Sequence, residues 1–169
     1  MLLAAAVLLA SQAARAQELP LPITRPCSHP CVNKIELRPG LDRLTLHARI
    51  VPATGIDPTA EPFTIELSDA GQTLFTATVP PGNFVETAAG RRWALRNPAA
   101  RTTGGLFRVL ITQRNDGAGG YRVDVVAYGD LSAATTPDMS LFLVVGDDGF
   151  FDAGPWTQRV YGWSRDFAP

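Results

Sequence analysis

Two cysteines stand close together in the stretch RPCSHPCVNK, where Cys27 and Cys31 flank His29 and Pro30. Thiols at this spacing can form a disulfide, bind a soft metal ion or take part in redox exchange. A zinc or copper site normally needs three or four ligands, whereas the whole chain has 2 cysteines and 2 histidines. A thioredoxin-type motif has two residues between its cysteines, not three. The spacing therefore favours a structural disulfide, and a small periplasmic metal-binding protein that uses CSHPC is the alternative.

Three carboxylates lie near one another in VGDDGFFDAG, at Asp147, Asp148 and Asp152. Calcium prefers clustered carboxylate and carbonyl oxygens in a loop, which makes these residues candidate metal ligands. Their spacing does not match an EF-hand loop, however, and aspartate and glycine are common in hairpin turns that hold no metal. We therefore expect a turn here, with calcium binding as the alternative, and we predict no cofactor.

The end of the chain, GPWTQRVYGWSRDF, is rich in aromatic residues. If this segment is a strand, alternation places Tyr161 and Trp163 on one face with Arg159 and Arg165. Exposed, coplanar rings in such a row would stack on the apolar faces of sugars and give a carbohydrate-binding site. Tryptophan is usually well buried, so the other interpretation is that Trp156 and Trp163 close the end of the core.

His47 is the remaining side chain with catalytic potential. It alternates with Arg43 and Arg49 on the polar side of its segment, which predicts a solvated surface histidine. The chain has no GxSxG nucleophile elbow, no P-loop and no dinucleotide fingerprint. We therefore predict that the protein is not an enzyme.

The first residues form a short apolar run that ends in Ala14-Arg15-Ala16. Such a run is too short for a transmembrane helix, which needs about 20 residues, and small-x-small is the pattern that signal peptidase recognises. This predicts a signal peptide over residues 1–16, a mature start at Gln17 and a secreted or periplasmic protein with no membrane anchor after cleavage. Disulfides persist outside the cytosol, which supports the Cys27–Cys31 bridge.

The charge of the chain is nearly balanced, since 15 basic and 16 acidic residues give a formal net charge of −1. Nucleic-acid-binding domains usually carry a basic excess, and no run of like charges marks a membrane surface. The composition therefore predicts no nucleic-acid partner. A glycan or another exported protein remain as the partners to test.

Apolar and polar residues alternate in most of the chain after the leader. The run DRLTLHARIV shows the pattern most clearly, and Gly-, Pro- and Asp-rich turns separate it from similar runs further on. This predicts an all-β fold, a single antiparallel β-sandwich of about eight or nine strands. Residues 17–33 are predicted to form an extended proline-rich arm pinned by the cysteine ring, and residues 34–169 the sandwich. The core should contain Leu44, Leu46, Ile50, Phe63, Ile65, Phe75, Val109, Ile111, Val123, Val125, Leu141 and Leu143.

Several of these runs resemble an uncharacterised β-sandwich domain of exported bacterial proteins. The resemblance rests on DRLTLHARIVPATGIDPTAEPFTIELSDAGQTLFTATVPPGNF, a strand around Trp93, and the later GDLS and VVGDDG, which together span roughly residues 40–150. Because no activity is attached to that domain, the resemblance implies a fold and no catalytic residue. The expected function is that of an exported, non-catalytic module with a binding or structural role.

Overall fold

The computed structural model describes residues 21–23, 32–88, 90–115 and 119–166. The predicted signal peptide, the mature start at Gln17 and the ring formed by Cys27, His29 and Cys31 lie outside the described residues. In the described part, no helix is long and apolar enough to cross a membrane.

Thirteen strand segments and one helical turn make up the described chain. They are β1 (Leu21–Pro22), β2 (Val32–Glu36), β3 (Asp42–Ile50), β4 (Phe63–Asp69), β5 (Gln72–Val79), β6 (Val85–Glu86), β7 (Arg92–Arg96), α1 (Ala100–Thr103), β8 (Gly105–Gln113), β9 (Tyr121–Gly129), β10 (Asp138–Val145), β11 (Asp148–Pro155), β12 (Thr157–Arg159) and β13 (Gly162–Asp166). The protein is therefore all-β, as the sequence predicts.

The strands form two sheets. One has five strands in the order β1-β11-β10-β4-β5, and the other has eight in the order β12-β13-β2-β3-β9-β8-β7-β6. All paired strands are antiparallel except β1 and β11, which are parallel.

Alternation explains the face that each strand buries. In β3 every second side chain is buried, from Asp42 to Ile50, because successive side chains of a strand point to opposite faces of the sheet. The inward residues of both sheets belong to a single apolar cluster. All twelve predicted core residues, from Leu44 to Leu143, are buried in this cluster, which confirms the prediction.

The predicted number of strands is too low. The segments β1, β6 and β12 have 2, 2 and 3 residues, and such short segments show no measurable alternation. The strand β11 was missed for a different reason. Its residues Asp148–Pro155 include Asp152 and two glycines, a composition that indicates a turn, yet all eight residues pair with β10.

The segment expected to be an arm contributes to both sheets where it is described. Leu21 and Pro22 pair with Phe150 and Phe151, and Ile23 is buried in the core. Val32 and Asn33 already belong to β2. Sheet pairing therefore starts before residue 34, the predicted beginning of the domain.

Two buried aspartates fasten the connection between β9 and β10. Asp42 accepts hydrogen bonds from the backbone N–H of Arg38 at 2.9 Å and of Leu131 at 2.8 Å. Asp69 accepts from the N–H of Thr135 and Thr136 at 2.8 and 3.0 Å, and from the Thr136 hydroxyl. Burial alone would raise the pKa of Asp69, but these donors outweigh it and the net pKa lies below 3.8.

Candidate functional site

Cationic side chains collect on one face of the eight-stranded sheet. Strand pairing and alternation place the following residues on its outer face, which we call the basic face: Lys34, Arg43, Arg49, Arg92, Arg96, Arg108, Arg122 and Arg159. Among the described side chains of this face, the carboxylates are Glu36 and Asp124. The five strands of the other sheet contain no lysine or arginine. The near-zero net charge of the chain therefore hides a strong separation of charge.

The centre of the basic face is held by an ionic cluster around Asp124. This carboxylate is 7% exposed and lies 2.6 Å from Nδ1 of His47 and 2.9 Å from Nε of Arg122. The backbone N–H of His47 also donates to the Asn33 side chain at 2.7 Å. His47 lies on the outer face, as its alternation with Arg43 and Arg49 predicts, and 25% of its side chain is exposed. Sequence alone did not show its partner, because it is β9 that brings Asp124 directly opposite His47 in register. In the described part of the chain, the His47 ring hydrogen bonds to no serine or threonine hydroxyl.

Acidification should weaken this cluster. Burial raises the pKa of Asp124, but the hydrogen bonds from His47 and Arg122 outweigh burial and hold the net pKa below 3.8. A carboxylate whose folded pKa is lowered stabilises the protein above its unfolded pKa, and this stabilisation is lost as pH falls through the folded pKa. The stability difference between the wild type and Asp124→Asn should therefore shrink below about pH 4. Urea unfolding from neutral to acidic pH measures it, and a difference that does not change with pH would contradict the assignment.

A groove of about 800 Å³ opens at the end of the basic face beside α1. We call it the arginine groove. Its volume lies within the range of small-molecule sites, about 300–1,000 Å³. It is lined by Arg38, Pro39, Gly40, Leu41, Arg43, Arg101, Thr102, Phe107, Arg108, Val126 and Tyr128.

A β-bulge shapes one wall of the groove. The pairing of β8 with β9 shifts between Leu106 and Arg108, which leaves Phe107 without a partner of its own. A bulge inserts one extra residue and re-aims the side chains on either side of it. As a result Phe107 lines the groove next to Arg108, and Tyr128 meets the Phe107 ring edge-on with 5.8 Å between centroids.

Three of the groove's arginines are held by neighbouring groups. Arg101 from α1 lies over the Phe107 ring, 4.4 Å from its centroid, which is a cation–π contact. Glu36 lies 3.3 Å from Arg43 and 3.1 Å from Arg38. This carboxylate neutralises part of their charge but is not among the residues that line the groove.

The Nε atom of Arg43 is buried and has no hydrogen-bond partner within the described residues. A buried donor without an acceptor costs about 1–3 kcal/mol, while the other guanidinium nitrogens of the groove arginines remain available to a ligand. The guanidinium group has its donors in a planar fork that matches carboxylate, sulfate and phosphate oxygens. The groove therefore has the chemistry of an anion site.

The end of the chain does not present a row of exposed, coplanar rings, although Arg159, Tyr161 and Trp163 line one groove of about 650 Å³. Tyr161 is 77% exposed, but Trp163 is 6% exposed and its indole N–H donates to the Ala134 carbonyl at 3.0 Å. Trp156 is buried as well, so both tryptophans belong to the core, as the other interpretation proposed. Tyr161 lies in a turn before β13, where strand alternation no longer sets its direction.

The two arginines predicted to accompany the aromatic row have separate environments. Arg159 donates to the hydroxyl of Ser164 at 2.7 Å, on the basic face. Arg165 points away from that face and forms a forked ion pair with Asp152, at 2.7 and 3.0 Å. Burial raises the pKa of Asp152, and the Arg165 charge offsets this rise only in part.

The candidate calcium ligands are not brought together. Asp147 lies in the hairpin turn, whereas Asp148 and Asp152 are four residues apart on the extended strand β11, a separation of about 13 Å. Asp152 is already paired with Arg165. In the described residues, no group of three or more His, Cys, Asp or Glu side chains could hold a metal ion.

Sequence reasoning missed the groove and the basic face, although one signal was present. The alternation that places Arg43 and Arg49 on a polar side recurs in β7 and β8, where Arg92, Arg96 and Arg108 occupy the same phase. Only the order of the strands in the sheet shows that these arginines face the same side.

Comparisons of the chain with protein-family models, with curated proteins and with solved structures found no match.

Proposed function

We propose that this protein is an exported, non-catalytic β-sandwich module that binds an anionic ligand in the arginine groove. The sandwich arrangement is supported by two sheets whose inward residues share one core cluster. Export is supported by the predicted signal peptide over residues 1–16 and by the resemblance to a domain of exported bacterial proteins. The disulfide between Cys27 and Cys31 belongs to the same proposal.

The convergence of Arg38, Arg43, Arg101 and Arg108 on one concave surface carries the proposal. Like charges repel, so four guanidinium groups around one groove are costly unless a counter-charge is supplied. Glu36 supplies one such charge from the side. An anion seated between the arginines would supply more and would accept from their guanidinium N–H groups.

The ligand class follows from the groove's mixture of groups. Its lining includes the apolar Val126 and two aromatic rings, Phe107 and Tyr128, beside the arginines. A compact inorganic ion would not use that surface. A small organic anion, such as an acidic sugar, presents carboxylate oxygens to the arginines and a carbon framework to the rings.

Replacing Arg101 with glutamine should lower affinity for D-galacturonate about tenfold, because a charge-assisted hydrogen bond contributes roughly 1.5–3 kcal/mol. Isothermal titration at low salt measures the dissociation constant. Arg91→Gln is the matched control, since Arg91 is also exposed but precedes β7 and does not line the groove. Inorganic sulfate serves as the simple-anion probe.

Two results would count against the proposal. The first is a wild-type protein that binds neither galacturonate nor sulfate. The second is an equal loss of affinity in the Arg101 and Arg91 variants, which would indicate a general charge effect and no defined site. Equal thermal unfolding midpoints for the three proteins would establish that the comparison concerns binding.

A further inference from the structure

The cations of the basic face continue across the sheet, well beyond the arginine groove. One cross-strand row runs through Lys34, Thr45, Val126, Arg108 and Arg96. Neighbouring strands lie about 4.8 Å apart, so this row spans about 19 Å. A second row runs parallel to it through Arg49, Arg122, Thr112 and Arg92. The face therefore presents positive charge in two dimensions, at intervals set by the sheet.

Much of this charge is uncompensated within the protein. Lys34, Arg92, Arg96 and Arg108 are exposed and form no ion pair within the described residues. Surface arginines normally find carboxylates nearby, because mixed charge favours solubility. Here the other sheet takes acidic residues and no basic ones. A net positive field over one sheet face attracts a ligand that carries many negative charges.

We propose that the basic face binds an extended acidic polysaccharide, a glycan chain with repeated carboxylate or sulfate groups. One unit of the chain lies in the arginine groove, and this part of the inference rests on the proposed function. The following units cross the sheet toward β7 and contact Arg108, Arg96 and Arg92. The side chains between these cations are Thr112, Ala94 and Leu110, which are shorter than the arginines and leave room for sugar rings near the sheet.

The aromatic residues favour a polysaccharide over a single-stranded nucleic acid. Proteins that bind single strands stack bases on open aromatic faces along the path of the chain. Among the described residues, Phe107 and Tyr128 lie at the arginine groove, and the exposed Tyr161 lies at the opposite side of the sheet, where it lines a second groove with Lys34 and Arg159. One side of Phe107 is covered by Arg101, and Tyr128 meets it edge-on. The proposed path toward β7 offers the arginines and the side chains of Leu110, Thr112 and Ala94, and its described outward residues include no aromatic ring.

Titration with four probes tests the length of the site. The probes are D-galacturonate, polygalacturonate, dextran sulfate and neutral dextran, with an oligothymidylate of matched charge as the nucleic-acid competitor. Polygalacturonate or dextran sulfate should bind more tightly than galacturonate, and neutral dextran should not bind. The affinity for the charged polymer should fall steeply with added salt, as expected when bound counterions are released.

The double variant Arg92→Gln/Arg96→Gln distinguishes binding along the basic face from binding in the arginine groove. Both residues are exposed on β7 and neither lines the groove. Polymer affinity should fall about tenfold with a shallower salt dependence, while galacturonate affinity should stay unchanged. Arg91→Gln is again the control, because it removes one neighbouring charge that lies off this face.

The outcomes distinguish the two proposals. A polymer bound no more tightly than galacturonate, or a double variant with unchanged polymer affinity, would overturn the extended site and leave the groove intact. Polymer binding that depends on Arg92 and Arg96, without any binding of galacturonate or sulfate, would support the face and overturn the groove. Oligothymidylate binding as tight as that of either acidic polysaccharide would overturn the assignment of the occupant and indicate a nucleic acid.

Discussion

Replacing Phe63 with alanine should lower the free energy of unfolding by about 4 kcal/mol. Phe63 is fully buried in β4 and its ring meets Phe84 edge-on, with 5.9 Å between the centroids. Its strand neighbours are Val79 and Val145. Truncation would remove the buried apolar area of the ring and leave a cavity that rigid strands on both sides cannot fill.

Urea unfolding followed by tryptophan fluorescence measures this effect, with Phe151→Ala as the control. Phe151 is a phenylalanine in a strand of the same sheet but is 42% exposed, so its truncation should cost about 1 kcal/mol. Equal losses in the two variants would mean that Phe63 does not occupy a packed core position.

The second large effect is expected from Gly162→Ala, at about 3 kcal/mol. Gly162 has a φ of +130°, and a Cβ atom built there would lie 1.9 Å from the carbonyl oxygen of Ile35. Alanine would therefore force β13 away from β2, where Gly162 pairs with Glu36. The same movement would draw Trp163 away from the Ala134 carbonyl that it binds.

Gly71→Ala is the matched control for this prediction. Gly71 also has a positive φ, +84°, but no atom would lie within 4 Å of an added Cβ. Its cost should be limited to the backbone term, about 1–2 kcal/mol, with no change in the fluorescence of the folded protein. The Gly162 variant should show both a larger loss of stability and altered tryptophan emission. Similar stability losses in both variants would contradict a close approach of β13 and β2.

The stability of β13 also bears on ligand binding at the basic face. Trp163 and Gly162 secure β13, and β13 in turn pairs with β2, which carries Lys34 and Glu36. A variant that detaches β13 from β2 should therefore also weaken ligand binding near Lys34 on the basic face. Binding and stability need to be measured on the same preparations.

The sequence by itself determined the strand class and the buried set. Alternation is a local property, because successive side chains of any strand point to opposite faces. Leu44, Leu46 and Ile50 could therefore be assigned to the core from one segment alone, and each is buried. The resemblance added the expectation of a two-sheet arrangement but did not point to any site.

Strands and side-chain positions that lack an alternating sequence pattern could not be predicted from the sequence. The strand β11 pairs with β10 along its whole length although its sequence indicates a turn, because the edge of β10 offers unpaired hydrogen-bonding groups that any nearby backbone can satisfy. The face of Trp163 was also undetermined, since burial of its indole depends on the Ala134 carbonyl, 29 residues away in sequence.

The candidate site depended entirely on tertiary structure. The composition gave a net charge of −1 and argued against a basic surface, because a sum over the chain carries no information about position. Strand order decided that Arg43, Arg96 and Arg108 share one face, and a bulge at Phe107 shaped the groove between them. Local sequence fixes on which side of its own strand each arginine lies, but only the pairing of distant strands brings those sides together.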